Sequence, residues 1–199
     1  MQELFKGGWI MLPLLICSIV AVGVIIERFL FFRRIKTTDA AEQVLVLAEQ
    51  GRIAEVRDIS NKAALPVVRV LAAGIVCPGS LSQVMEAASI LELAAMRRGM
   101  PVLDTIVTLS PLLGLLGTIV GMINSFQIMA VSGMGHPHAV TGGVAEALIA
   151  TATGITIAVI ALIPYNYFIA RIERETELIE YYASQLEIVL GKSAKEQST

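Results

Sequence analysis

Glu146 is the residue that demands an explanation. It is the only charge in "GGVAEALIATATGI" (142–155), inside one of the most apolar parts of the chain, and Thr151, Thr153 and Thr156 follow it. A carboxylate among apolar residues can take up and release a proton, and hydroxyls can hold the water through which a proton moves. At about 100° per residue on a helix, Glu146, Ala150, Thr153 and Ile157 share one face. Ala147, Thr151, Gly154 and Ala158 form a second stripe of small residues, roughly 100° to 140° round. That second stripe fits a helix–helix contact, because small side chains let backbones approach closely. Two readings of Glu146 are open. It stands three residues after Gly143, where the first turn of a helix would favour an acid by about 0.3–1 kcal/mol. Alternatively it lies deeper, where an ionisable group costs about 2.5–3.5 kcal/mol and usually serves an ion pathway.

The same question arises upstream. Pro111, Gly114, Thr118, Met122 and Ser125 fall on one helical stripe, with Gly121 at its edge, and Leu112, Leu116, Ile119, Val120 and Ile123 fall opposite. Tight packing of small residues and a weakly polar pathway both fit this stripe. The remaining polar candidates are weaker. Glu27 beside Arg28 reads as an interfacial ion pair, and Asn124 and Gln127 as headgroup contacts. His136 and His138 flank Pro137 and are too few for a metal site. No phosphate-binding glycine loop and no nucleophile–base pair occurs, so neither an enzyme nor a bound cofactor is expected.

The elements that must position these residues are membrane spans. The chain has 199 residues, 55% hydrophobic and only 16% charged, with mean hydropathy +0.73. A soluble domain carries about 25% charge. The net charge of −2 and the lack of a basic patch argue against nucleic acid. Cys17 and Cys77 lie in unlike contexts and suggest neither a disulfide nor a metal site. Residues 9–26 form the first apolar run, too long for a signal peptide and followed, not preceded, by its basic cluster. Residues 103–131 form the second, about 43 Å as a helix against a roughly 30 Å hydrocarbon core. Residues 144–169 form the third.

Lysine and arginine set the orientation. Segment 27–102 holds ten of them, connector 132–143 none, the tail 170–199 four, and the N-terminal residues 1–8 only Lys6. The positive-inside rule then places 1–8 and 132–143 outside and 27–102 and 170–199 in the cytoplasm. Segment 27–102 is expected to be helical. Asp39 with Glu42 and Ser80 with Gln83 read as capping boxes, Gly51 as a helix stop, and Pro66, Pro78 and Gly79 as breaks. The stretch 81–98 should run almost unbroken into the second span. A further helix is expected from Glu173 to about Leu190, with 191–199 disordered. The expected fold is an all-α integral membrane protein with three transmembrane helices and long helices extending into the cytoplasm.

"LLGLLGTIVGMINSF" (112–126) followed by "GGVAEALIATATGITIAVIALIPYNYF" (142–168) resembles the paired-helix signature of the MotA/TolQ/ExbB proton-channel family. The three-span plan and the start "GGWIMLPLLICSIVAVGVIIER" resemble its ExbB and TolQ branches. Val120 stands where many members have Trp. The resemblance implies a pentameric ring in the bacterial inner membrane around a dimer of a single-span, ExbD/TolR-like partner. It further implies proton flow between the two and work passed to a TonB- or TolA-like protein. By the same resemblance Glu146, Thr118 and Thr151 face the pore, and the stripes add Thr153 and Ser125. A ring of such helices would be lined by Thr118 and Glu146. Protons are favoured over sodium, since no cluster of oxygen ligands is evident. A passive scaffold ring and a small secondary transporter are the competing functions. The latter is disfavoured by the lack of an internal repeat.

Overall fold

The computed structural model describes residues 9–35, 39–62, 65–76, 80–132 and 137–196. They form seven helices: α1 (Met11–Arg34), α2 (Asp39–Glu49), α3 (Ile53–Lys62), α4 (Pro66–Val76), α5 (Leu81–Arg97), α6 (Met100–Ser132) and α7 (Pro137–Glu196). No strand occurs among the described residues. Three of the helical stretches are long and apolar enough to cross a membrane. The chain divides into two compact units, 1–28 with 99–167, and 29–98 with 168–199.

The first unit holds the apolar parts of α1, α6 and α7. Its outer faces carry exposed Leu12, Ile16, Ile19, Leu112, Ile119, Ile155 and Ile163, the composition a lipid environment accepts. Its interior combines small residues with bulkier ones such as Leu14, Leu103 and Ile106. Ala147, Ala150, Ala158 and Ala161 are buried, and so are Ser110 and Ser125. Glu27 and Arg28 form the expected ion pair at 2.6 Å, with Arg28 buried and Glu27 exposed.

The second unit is a helical cluster with a conventional apolar core. Val44, Val56, Val68, Leu71, Met85, Met96, Phe168 and Leu186 are almost wholly buried. Phe32 stacks on Phe168, ring centroids 5.5 Å apart, and Arg69 of α4 pairs with Glu92 of α5 at 2.9 Å. The α4 start uses Pro66 in the first turn, where its missing N–H costs nothing. Gly51 ends α2 as expected. Its φ is +70°, the Arg52 amide bonds the Leu47 carbonyl, and the Gly51 amide bonds the Ala48 carbonyl. Those two bonds together make a Schellman cap, which needs a residue free to take positive φ.

Several expectations are corrected. Ser80 does occupy the N-cap of α5, but with φ −140° and no side-chain hydrogen bond, so the capping box does not form. The proposed box at Asp39 falls on a side chain outside the described residues. The run from 81 into the second span is almost unbroken, as expected: α5 closes at Arg97, α6 resumes at Met100, and the interruption falls at Gly99, whose φ of +80° other residues rarely adopt. The tail expected to be disordered over 191–199 is helical to Glu196. α7 begins at Pro137, so the later part of the segment 132–143 is helical.

Candidate functional site

The early start of α7 changes the meaning of Glu146. Nine residues, about two and a half turns, separate it from Pro137. The helix-dipole benefit to an acid fades within the first turn. A terminal acid favoured by that dipole is therefore not what Glu146 is. The sequence misleads here because Gly142 and Gly143 look like a helix boundary. Both lie inside the helix, and Gly143 is there for space: a Cβ on it would collide with the Ser125 hydroxyl on α6.

That near-collision belongs to a seam along which α6 and α7 pack antiparallel. A Cβ on Gly121 would stand 2.7 Å from the Ala147 Cβ, and one on Gly117 2.6 Å from the Ala150 Cβ. One on Gly114 would stand 3.0 Å from the Thr151 Cα, and one on Gly154 would collide with the Ser110 carbonyl. The seam thus joins Ser110, Gly114, Gly117, Gly121 and Ser125 to Gly154, Thr151, Ala150, Ala147 and Gly143. On both helices the contact positions recur mostly every three or four residues, which keeps them on one face along an antiparallel pair. The stripe read from the sequence is rotated by about 60° from this line. Gly117 joins the seam, while Thr118 is half-exposed and Met122 is 36% exposed. Absence of side chains, not weak polarity, selects the contact face.

At the end of the seam toward Ser132 lies a cavity of about 340 Å³. Glu146, Asn124, Ser125, Gly121 and Gly143 line it, with Trp9 and Ile10 from the start of α1. Val120 lines it too.

The five sequence-derived candidates separate. Glu146 and Ser125 share the cavity. Ser125 is buried, and its hydroxyl donates to the Gly121 carbonyl at 2.8 Å. Thr151 faces the seam and donates to the Gly114 carbonyl of α6 at 2.8 Å, an interhelical bond. This accounts for its angular distance from Glu146. Thr153 and Thr118 lie outside the cavity lining and bond within their own helices, Thr153 to the Ile149 carbonyl at 2.8 Å and Thr118 to the Leu115 carbonyl at 2.6 Å. Their oxygens keep lone pairs for water, since a hydroxyl donates once and accepts twice. The histidine reading at His136 and His138 lies outside the described side chains.

Two polar groups in these spans escaped the sequence reading. Asp104 lies near the start of α6, close to the Tyr165 side chain of α7. Ser110 is fully buried, and its hydroxyl has no partner. Asp104 was legible in principle: fourteen residues before Thr118, it falls about 40° from it on a helix.

Residues 62–181 match the MotA/TolQ/ExbB proton channel family. The chain is 34% identical to the ExbB-like 1 protein of Synechocystis sp. over 95% of its own length and 78% of that protein's. It is 34% identical to ExbB-like 3 of the same organism, over 92% and 91%. It is 43% identical to the biopolymer transport protein ExbB of Salmonella typhimurium, over 39% and 32%. With that match over most of the chain and three helices able to cross a membrane, the protein is a multi-pass inner-membrane subunit of ExbB/TolQ type, and it belongs to the MotA/TolQ/ExbB proton channel family.

Proposed function

We propose that this chain is the ring-forming, proton-conducting subunit of an inner-membrane complex that converts the proton motive force into work at the cell envelope. The ring is a pentamer around an ExbD/TolR-like single-span dimer, and the work passes to a TonB- or TolA-like protein. Residues 1–8 and the short connector face outward, and 27–102 and 170–199 face the cytoplasm. Glu146 receives protons at the outer end, and Ser125, Thr118, Thr151 and Thr153 provide hydroxyls along the route.

One observation carries the reading. Glu146 sits two and a half turns inside a helix, beside an open cavity with Asn124 and Ser125, where no helix end accounts for its charge. Insertion of such an acid is costly, so function is the economical explanation. The small-residue seam gives the scaffold, because two helices joined by small side chains leave other faces for neighbours. Each charge driven through 100 mV supplies about 2.3 kcal/mol, which suits repeated small steps better than one large rearrangement.

The test is complementation of a strain lacking the chain by Glu146→Ala, with capture of the single-span partner from the same cells. The expected result is lost energy-dependent activity with partner capture retained. Full activity in the alanine variant would reduce the chain to a passive scaffold.

A further inference from the structure

Two carboxylates lie within the paired spans, and the proposed pathway uses only one. The seam sets their separation. Gly121 is level with Ala147, so Glu146 and Asp104 are about 25 Å apart along the helix axes, near opposite faces of a roughly 30 Å hydrocarbon core. Asp104 is exposed on α6, and its contact with Tyr165 spans two helices. The cleft between α6 and α1 near Asp104 is lined by uncharged residues. There Ile16, Cys17 and Val20 meet Pro101, Val102, Thr105 and Ile106 across an apolar cleft. Thr105 and Thr108, on the same turns of α6, turn their hydroxyls onto their own backbone, to the carbonyls of Pro101 and of Asp104 and Thr105.

Ser110 stands between the two acids. It lies about 9 Å along the helix from Asp104, one turn before the Thr151–Gly114 bond. Its hydroxyl is buried and unpartnered, which costs about 1–3 kcal/mol unless water or a transient partner satisfies it. In the order of the seam, polar groups therefore follow one another from Glu146 and Ser125, through Thr151 and Ser110, to Asp104 and Tyr165.

We propose that Asp104, positioned by Tyr165, is the inner end-station of the proton pathway that begins at Glu146, with the Ser110 hydroxyl holding water between them. The assignment rests on the proton-conducting reading above. A proton arriving by water forms an O–H bond to the Asp104 carboxylate, and that bond then breaks to bulk water at the inner face, which regenerates the carboxylate. No electrons are transferred. Tyr165 acts through Asp104 and does not itself exchange the proton.

The experiment reconstitutes the chain, co-purified with its single-span partner, in phosphatidylethanolamine–phosphatidylglycerol vesicles containing a pH-sensitive dye. A potassium diffusion potential drives uptake, and flux is normalised to intact complex. Asp104→Asn keeps size and a carbonyl acceptor for Tyr165 but cannot bind a proton. Its flux should fall by about a hundredfold, the scale on which a positioned proton-transfer group acts. Asp104→Glu should recover most of it, and Tyr165→Phe should lower flux while the complex stays intact. Wild-type flux in the Asn variant beside an inactive Glu146→Ala would overturn the assignment of Asp104 alone. So would failure of the Asn variant to assemble, since that would make Asp104 a packing group. No flux in the wild-type complex would overturn the proton-conducting reading and this assignment with it.

Discussion

Replacing Gly117 by alanine adds one methyl group at a close point of the α6–α7 seam. The new Cβ would stand 2.6 Å from the Ala150 Cβ, an atom fixed to its own backbone and unable to rotate away. Ordinary contact begins at 3.4 Å, so the helices must part locally by about 0.8 Å. The Thr151 hydroxyl reaches the Gly114 carbonyl beside this point at 2.8 Å. The same displacement carries that bond to about 3.6 Å, beyond useful hydrogen bonding. Overpacking of this kind costs about 1–3 kcal/mol, and an interhelical bond in a membrane contributes about 0.6 kcal/mol on average. The sum, about 2–4 kcal/mol, should lower the melting temperature of the detergent-purified protein by about 4–15 °C. Gly142→Ala is the matched control. It is also inside α7, but nothing lies within 4 Å of its added Cβ. Relief of glycine's conformational entropy should there stabilise by about 0.5–1 kcal/mol. If Gly117→Ala melts as high as Gly142→Ala, the close seam is not how these helices pack, and the position assigned to the Glu146 cavity fails with it.

Thr118→Val keeps the shape of a half-exposed residue and removes its hydroxyl; energy-dependent growth should collapse while the complex assembles normally, as read by complementation and partner capture. Glu146→Asp keeps the charge but withdraws it by one methylene, so the same growth assay should show partial activity. Glu175, 3% exposed and outside the three apolar spans, has its carboxyl raised above the usual 4.5 by burial, against the weaker pull of Arg171 and Arg174. Such an acid favours the fold while protonated, and that contribution is lost as pH rises from 4.5 through the folded value. Glu175→Gln should therefore raise thermal stability at neutral pH, with the gain shrinking toward zero below pH 4.5, and a pH-independent difference would contradict the burial argument.

What the sequence determined by itself was much of what depends on local physics. Runs of apolar residues long enough to cross a membrane are visible in composition, because no water inside the bilayer can satisfy an exposed backbone. Gly51 as a helix stop was legible, because a positive φ needs glycine. The long strings around Thr118 and Glu146 carried the family, and the Glu27–Arg28 pair followed from adjacency. Tertiary structure decided what depends on the approach of two helices. Which face of α6 meets α7 is selected by how closely backbones can pack, so Gly117 entered the seam and Thr118 did not. Thr151 found its partner 37 residues away, at a carbonyl no periodicity identifies. Glu146 lost its helix end because Gly142 and Gly143 are spacers within α7 and do not break it. Asp104 found Tyr165 for the same reason. Sequence spacing orders side chains around one axis, and only the second helix shows which of them have a neighbour.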